Sequence, residues 1–185
     1  IVAGVTALIL LEPFRFQRLI SFTNPWADPL GVGYQLSNAL MAFGRGEWFG
    51  TGLGHSVQKL SYLPEAHTDF MLAVLGEEFG FVGVTIVMAL SFTMLACCIR
   101  IGHRALQHNY LRAGYLAYGI SIIFLLQILV NAGMNMGLMP TKGLTLPFIS
   151  YGGTSLMMCA AMISLILKID ASTQELNPVK EESNF

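Results

Sequence analysis

The stretch FGFVGVTIVMALSFTMLACCI, residues 79–99, is a run of 21 residues without a charged side chain. As an α-helix it would rise about 1.5 Å per residue and extend about 31 Å, the hydrocarbon thickness of a bilayer. Two further uncharged runs, residues 113–141 and 143–167, are also long enough to cross. The opening run, residues 1–11, is too short to span, and we interpret residues 1–13 as the end of a truncated transmembrane helix. The sequence therefore predicts an all-α, polytopic integral membrane helix bundle.

The composition of the whole chain agrees with this class. Of 185 residues, 54% are hydrophobic and 11% are charged, whereas soluble globular domains carry about 25% charged residues. The low charge excludes a water-soluble domain, and the high hydrophobic content excludes a disordered chain. The net charge is −1, with 10 basic against 11 acidic residues, so the chain lacks the basic surface that a nucleic-acid partner requires.

Positive charge orients the predicted spans. Residues 100–112, RIGHRALQHNYLR, hold three arginines and no acidic residue, so the positive-inside rule predicts a cytoplasmic loop there. Alternation then predicts transmembrane helices at 70–99, 113–132 and 149–168, extracytoplasmic loops at 14–69 and 133–148, and a cytoplasmic tail at 169–185. The two outer loops consequently lie on the same face of the membrane.

The long outer loop, residues 14–69, has the composition of a structured region. Residues 34–43, YQLSNALMAF, are apolar with polar breaks and suit a helix at the membrane interface. The pattern GTGLG at residues 50–54 predicts tight turns and not a nucleotide loop, because no Lys-Ser or Lys-Thr pair follows it. Loops of this length are usually functional when they are ordered. We therefore look for a site here first.

Five titratable side chains crowd the segment before the first complete span: Glu65, His67, Asp69, Glu77 and Glu78. Two interpretations of Asp69 stay open, an N-cap of a helix that opens at Phe70 and a catalytic carboxylate held by that helix start. His67 is interpreted as a loop residue or hydrogen-bond partner, because no second histidine stands at metal-ligand spacing. Glu77 and Glu78 follow Asp69 by eight and nine residues, so on an ideal helix Glu77 lies about 80° round from Asp69 and Glu78 almost opposite it, and a hydrolase with paired carboxylates is only weakly indicated.

Lys142 is a second unusual charge, since it stands between Pro140 and Pro147 with uncharged runs on both sides. As a structural residue it would snorkel from a helix end to the interface. As a functional residue, its ammonium near Ser150 would suit a phosphate-bearing lipid headgroup. In the predicted topology Lys142 lies on the same side of the membrane as Asp69. We therefore expect the two to face one outer cavity.

Four motifs occur in order along the chain: NPWADPLGVGYQL (24–36), GTGLGHSVQKLSYLPEAHTDF (50–70), LGEEFGFVG (75–83) and PTKGLTLPFISYGG (140–153). Together they resemble the C-terminal half of the SEDS (FtsW/RodA/SpoVE) family. The tryptophan of the first motif and the run QKLSYLPEAHTDF favour the cell-division branch of that family. The resemblance implies a ten-helix membrane protein, of which this chain holds the end of the seventh helix and all of the last three.

The resemblance also implies an enzyme, a peptidoglycan glycosyltransferase that polymerises lipid II at the outer face of the bacterial cytoplasmic membrane, at the division septum. It implies that Asp69 is the catalytic residue and that Lys142 is functionally important. The implied partners are a class B penicillin-binding protein transpeptidase and other divisome proteins. Because helices one to six are absent, we expect this chain alone to be inactive.

In the expected mechanism, Asp69 is the general base for the acceptor GlcNAc 4-hydroxyl, which attacks the donor's anomeric carbon with inversion. General-base catalysis of this kind accelerates a reaction by about 10²–10⁴. Lys142 would stabilise the charge that develops on the leaving pyrophosphate, and a divalent cation such as Mg²⁺ or Mn²⁺ stays open as a cofactor. Second-rank candidates for headgroup contacts are Ser150, Glu65, His67, Gln58 and Lys59.

Two other functions remain as alternatives. A flippase or transporter of lipid II would also need broken helices and a headgroup cavity with a cation inside the membrane. A membrane scaffold for the transpeptidase would need the interface with that partner and no chemistry of its own.

Overall fold

The computed structural model describes residues 24–29, 31, 33–58, 67–140 and 143–175. These ranges contain four α-helices and no strand, which confirms the all-α prediction. The helices are α1 (Tyr34–Gly46), α2 (Met71–Gln107), α3 (Leu111–Asn135) and α4 (Gly153–Glu175), and a single 3₁₀ turn covers Pro25–Ala27. The helix end predicted at residues 1–13 lies outside the described residues.

Helices α2, α3 and α4 are each long and apolar enough to cross a membrane. Large apolar side chains cover their outward faces, among them Ile86, Leu90, Phe92, Ile122, Leu126, Leu165 and Leu167, all of which are exposed. Such a continuous apolar surface is unfavourable in water and is the normal surface of a helix bundle in lipid. The described helices thus form an integral membrane bundle.

The helices extend beyond the predicted spans. Helix α2 continues through the first part of segment 100–112 to Gln107, and only residues 108–110 connect it to α3. Helix α4 begins at Gly153 instead of residue 149 and continues past residue 168 to Glu175. The physical reason is that a run without charges marks the hydrocarbon layer, whereas Arg, Gln, Ala and Leu favour a helix on either side of that boundary.

Small residues let α2 and α3 approach each other closely. A β-carbon on Gly102 would lie 3.2 Å from the Ala117 β-carbon, and one on Gly114 would lie 2.5 Å from Leu106 Cδ2. Close approach at small residues is typical of helix packing in membranes. The core of the bundle continues from there into α4 through a cluster that includes Leu95, Cys98, Ile120, Phe124, Cys159 and Ile166.

Helix α1 forms where the sequence predicts an interfacial helix. One of its faces is buried, with Ala39 and Ala42 packed against Phe70 and Ala73 at the start of α2. The helix is therefore docked onto the first turns of α2 and supports the chain that leads into it.

Helix α2 is broken at Gly80. This residue has φ 67° and ψ −165°, a backbone conformation that is essentially restricted to glycine. Glycine is also required for space, because a β-carbon there would lie 2.5 Å from the Trp48 carbonyl carbon and 2.6 Å from the Phe49 nitrogen. The first segment of α2 is thus separated from the spanning segment by a loop that packs into the break.

That loop, residues 47–52, replaces the hydrogen bonds that the break removes. In a regular helix Phe81 N would donate to Glu77 O and Val82 N to Glu78 O. Instead, Phe81 N donates to Glu47 O (2.9 Å) and Val82 N to Trp48 O (3.2 Å), while Thr51 N donates to Glu77 O (2.9 Å) and Gly52 N to Glu78 O (3.1 Å). All four groups are paired, as a membrane protein requires.

The glycines of GTGLG supply the turns on either side of this insertion. Gly50, Gly52 and Gly54 all have positive φ values, between 80° and 101°. The prediction of tight turns is confirmed.

Candidate functional site

The site is built around the Asp69 turn, residues 67–70, which leads directly into α2. The helix begins at Met71, and its N-cap position is Phe70, where no side chain forms a capping hydrogen bond. The predicted helix start is therefore one residue too early, and the cap position is not that of Asp69. The Asp69 side chain is half-buried and His67 is exposed.

Two asparagines of α3 hold the main chain of this turn. Asn131 and Asn135 are both fully buried and lie one turn apart. Asn131 Nδ2 donates to Asp69 O at 3.0 Å, and Asn135 Nδ2 donates to the same oxygen at 2.9 Å. The carbonyl of Asp69 is thus fixed to α3, and the direction in which its side chain leaves the backbone is fixed with it.

The loop after Lys142 reaches the same place. Gly143 packs against Asp69, and a β-carbon on Gly143 would lie 3.1 Å from Asp69 Oδ2. Asn131 Nδ2 also donates to Leu144 O at 2.6 Å, so one amide group contacts the Asp69 turn and the residue two places after Lys142. Further along the loop, Tyr151 N donates to His67 O at 2.8 Å. The two motifs that carry Asp69 and Lys142 in the sequence therefore meet in space.

A cleft of about 460 Å³ opens beside this junction. Its polar lining comes from His67, Ser150 and Tyr151, and its apolar lining includes Met71, Phe148 and Leu156. Phe148 has φ 63°, which is an unusual and strained conformation for a bulky residue. Backbone strain of this kind clusters at ligand sites. The lining suits a ligand with both polar and apolar parts.

The other predicted contact residues divide into two groups. Ser150 is buried, and its Oγ accepts a hydrogen bond from Leu146 N at 2.8 Å, so this hydroxyl also closes the turn that shapes the cleft. Gln58 is half-buried, and its main-chain nitrogen donates to Glu77 Oε2 at 3.3 Å. Lys142, Glu65 and Lys59 lie outside the described residues.

Glu77 lies inside the protein and does not form a carboxylate pair with Asp69 at the site. Its side chain is 0% exposed, and its carboxylate accepts four hydrogen bonds. The donors are Ser56 Oγ (2.5 Å), Val57 N (3.2 Å), Gln58 N (3.3 Å) and Arg45 Nη1 (3.3 Å). Glu77 therefore binds residues 56–58 and α1 to the first segment of α2 and is fully engaged in structure.

The arrangement of potential metal ligands around His67 is predicted from the sequence to be unsuited to a metal site. In the ranges given above, no group of three His, Cys, Asp or Glu side chains is arranged to hold a metal ion. The His67 carbonyl accepts a hydrogen bond from Tyr151 N.

Comparison with known proteins shows the family to which this chain belongs. The family model for FtsW, RodA and SpoVE, described as "Cell cycle protein", matches residues 1–175. The chain belongs to the FtsW/RodA/SpoVE family. The predicted SEDS resemblance is confirmed, and with three helices able to cross a membrane this family member is a multi-pass membrane protein.

The names of individual relatives support the prediction that this chain resembles the cell-division branch of the family. An Acinetobacter baylyi protein named "Probable peptidoglycan glycosyltransferase FtsW" is 86% identical over 185 residues, covering 100% of this chain and 46% of the relative. A protein of the same name from Aliivibrio salmonicida is 56% identical over 166 residues, covering 90% of this chain and 42% of the relative. The chain thus spans less than half the length of these relatives.

A solved structure has the same fold. The matched chain belongs to a structure titled "Structural coordination of polymerization and crosslinking by a peptidoglycan synthase complex". The match has a TM-score of 0.66 and 28% identity, and it covers 94% of this chain and 49% of that chain.

Sequence reasoning missed Asn131, Asn135 and the role of Glu77. A signal existed for the asparagines, because two amides four residues apart share one face of a helix and stand inside an otherwise apolar run. Polar groups there require partners. For Glu77 no comparable signal existed, since two of its four donors are main-chain amides about twenty residues earlier and the two side-chain donors, Ser56 and Arg45, do not stand at a spacing that points to it.

Proposed function

We propose that this chain is the C-terminal part of a peptidoglycan glycosyltransferase that polymerises lipid II at the outer face of the cytoplasmic membrane during septal wall synthesis. The single observation that carries the proposal is the contact of the Asp69 turn with the loop that follows Lys142, through Gly143 and Asn131. The names of the relatives supply the reaction class.

The geometry supports a general base and a cation at one site. Asp69 removes the proton from the acceptor sugar hydroxyl as this oxygen attacks the donor's anomeric carbon, and the bond to the pyrophosphate breaks. Lys142 stabilises the negative charge on the leaving pyrophosphate. The cleft lined by His67, Ser150 and Tyr151 receives polar headgroup atoms, and Glu65, Gln58 and Lys59 are further candidates for such contacts.

A divalent cation such as Mg²⁺ or Mn²⁺ enters the proposal only as an ion carried by the pyrophosphate of the substrate. The described side chains offer no cluster that would hold it, so no step is assigned to it.

The proposed partner is a class B penicillin-binding protein, together with other divisome proteins. The structural neighbour comes from a peptidoglycan synthase complex that coordinates polymerization and crosslinking, and a transpeptidase partner is consistent with that pairing. The flippase alternative would use the break in α2, as transporters use discontinuous helices. Here, however, the loop 47–52 pairs the backbone groups at the break, and they are not free to bind a substrate.

The test is a polymerisation assay on the full-length protein in complex with its transpeptidase. We expect Asp69→Asn to insert and bind the partner normally and to lose about 10²-fold or more in glycan synthesis. Asp170→Asn, at the opposite end of the bundle, is the matched control and should retain activity. Normal polymer from Asp69→Asn would refute the proposed base. Both activities are scored in the same vesicles. If the wild type made no polymer there and Asp69→Asn still translocated lipid II, the flippase would be favoured.

A further inference from the structure

We propose that Asn131 is a positioning residue that sets the separation of the two catalytic segments. This inference rests on the proposed function, in which Asp69 and Lys142 act on one substrate. Asn131 acts through the main chain on both sides of the site, at Asp69 O and at Leu144 O.

The first observation is that one amide nitrogen bridges two segments far apart in sequence. Asn131 Nδ2 donates both to Asp69 O (3.0 Å) and to Leu144 O (2.6 Å). An NH₂ group has two protons, so it can serve both acceptors at once. Few side chains of this size could do so: Ser and Thr have one proton, and Asp has none when ionised.

The second observation is the burial of this bridge. Asn131 is 0% exposed and lies on a predominantly apolar helix, so water does not reach its hydrogen bonds. The main-chain carbonyls of Asp69 and Leu144 would lose a partner together if the amide were removed. The spacing between the Asp69 turn and the loop is therefore maintained by a buried polar contact and not by hydrophobic packing alone.

The third observation is the contrast with Asn135. Its Nδ2 contacts the same Asp69 carbonyl, but its other hydrogen bonds return to Asn131 and do not reach the loop after Lys142. Asn135 therefore fixes one segment, while Asn131 fixes two. This difference separates a role in positioning the pair of segments from a general role in holding the Asp69 turn.

The experiment measures lipid II polymerisation by the full-length protein with its transpeptidase, over a range of lipid II concentrations. Misplacing a catalytic group by about 1 Å can cost about 10²-fold in rate. We expect Asn131→Leu to lower kcat by about 10- to 100-fold with a change in KM below about threefold, and Asn135→Leu to lower kcat less. Ser121→Ala is the control, because this buried hydroxyl of α3 donates to the Ala117 carbonyl of its own helix.

A second measurement does not depend on activity. Spin labels at His67 and Leu144, which are both exposed, report the distance between the two segments. We expect a narrow distance distribution in the wild-type background and in Ser121→Ala, and a broader or displaced one with Asn131→Leu. If Asn131→Leu does not purify as a folded protein, Asn131→Asp replaces it, since aspartate keeps the volume and removes the two-proton donor.

The outcomes are distinguishable. Wild-type kcat and an unchanged distance distribution in the Asn131 variant would overturn the positioning role, as would an equal loss of kcat in Asn135→Leu and Asn131→Leu. If Asp69→Asn retains full activity while the Asn131 variant still broadens the distance distribution, the proposed catalytic function fails and the structural coupling stands.

Discussion

Removing the charge of Glu77 should strongly destabilise the protein, although Glu77 is not one of the residues assigned to the proposed reaction. Four donors point at this buried carboxylate, from Ser56, Val57, Gln58 and Arg45. In Glu77→Gln a single acceptor oxygen remains, which can serve about two donors. Two donors are left unpaired at about 1–3 kcal/mol each.

The expected cost is therefore about 4 kcal/mol when the glutamine amide nitrogen replaces Oε2 and leaves Ser56 Oγ and Gln58 N without their acceptor. The lost charge pair adds little, because the Arg45 side chain is 51% exposed and solvent screens it. The relative from Acinetobacter baylyi, of which this chain covers 46%, has about 400 residues (185/0.46), and for a full-length chain of that size the cost corresponds to a Tm lowered by about 5 °C. The assay is thermal unfolding of the full-length protein in detergent, followed by intrinsic tryptophan fluorescence.

The matched control is Asp170→Asn. Asp170 Oδ1 lies 4.0 Å from Arg104 Nη1, and both side chains of this pair are partly exposed. Loss of this ion pair should lower the free energy of unfolding by less than about 1 kcal/mol. A Tm for Glu77→Gln within about 2 °C of the wild type, or a shift no larger than that of Asp170→Asn, would refute this account of Glu77.

Two glycine substitutions test the break and the site. Gly80→Ala should lower the free energy of unfolding by at least about 1–3 kcal/mol because of backbone strain, and the close contacts with Trp48 and Phe49 should lower it further. A Tm equal to that of the wild type would contradict the described break in α2. Gly143→Ala should displace the Asp69 carboxylate by a few tenths of an ångström and lower polymerisation about tenfold at little change in Tm. Gly119→Ala, where a β-carbon meets nothing within 4 Å, is the control for both, and equal activity of Gly119→Ala and Gly143→Ala would contradict the contact.

The membrane helices were predictable because hydrocarbon excludes charge whatever the tertiary contacts are. The runs that end at Arg100 and Lys168 therefore mark the spans, although the helices themselves end at Gln107 and Glu175. The break at Gly80 was not predictable from the same run. It exists because residues 47–52 supply hydrogen bonds to Phe81 and Val82, and a local pattern does not contain such a long-range pairing.

Candidate residues for the site could be predicted from the sequence, whereas the contacts that support them could not. Asp69 stood out because a carboxylate next to a span is costly, and topology alone placed it on the side of Lys142. From the sequence, Asn131 could be recognised only as an amide in an apolar run that needs hydrogen-bond partners. Its two partners, the carbonyls of Asp69 and Leu144, could not be predicted. The clamp at Glu77 depends on main-chain amides of Val57 and Gln58, which carry no signal in the residue types.

The central claim is that Asp69 and Lys142 face a single chamber on the outer side of the membrane. Its most direct test uses the full-length protein without its native cysteines, Cys97, Cys98 and Cys159 included, and with Asp69→Cys and Lys142→Cys introduced together. A short, membrane-impermeant bifunctional thiol reagent added from outside should join the two positions, as shown by mass spectrometry of the linked peptides. Asp69→Cys with Arg112→Cys is the control pair that should stay unlinked. Labelling of each cysteine without a link between them, or labelling of either only from the cytoplasmic side, would contradict the claim.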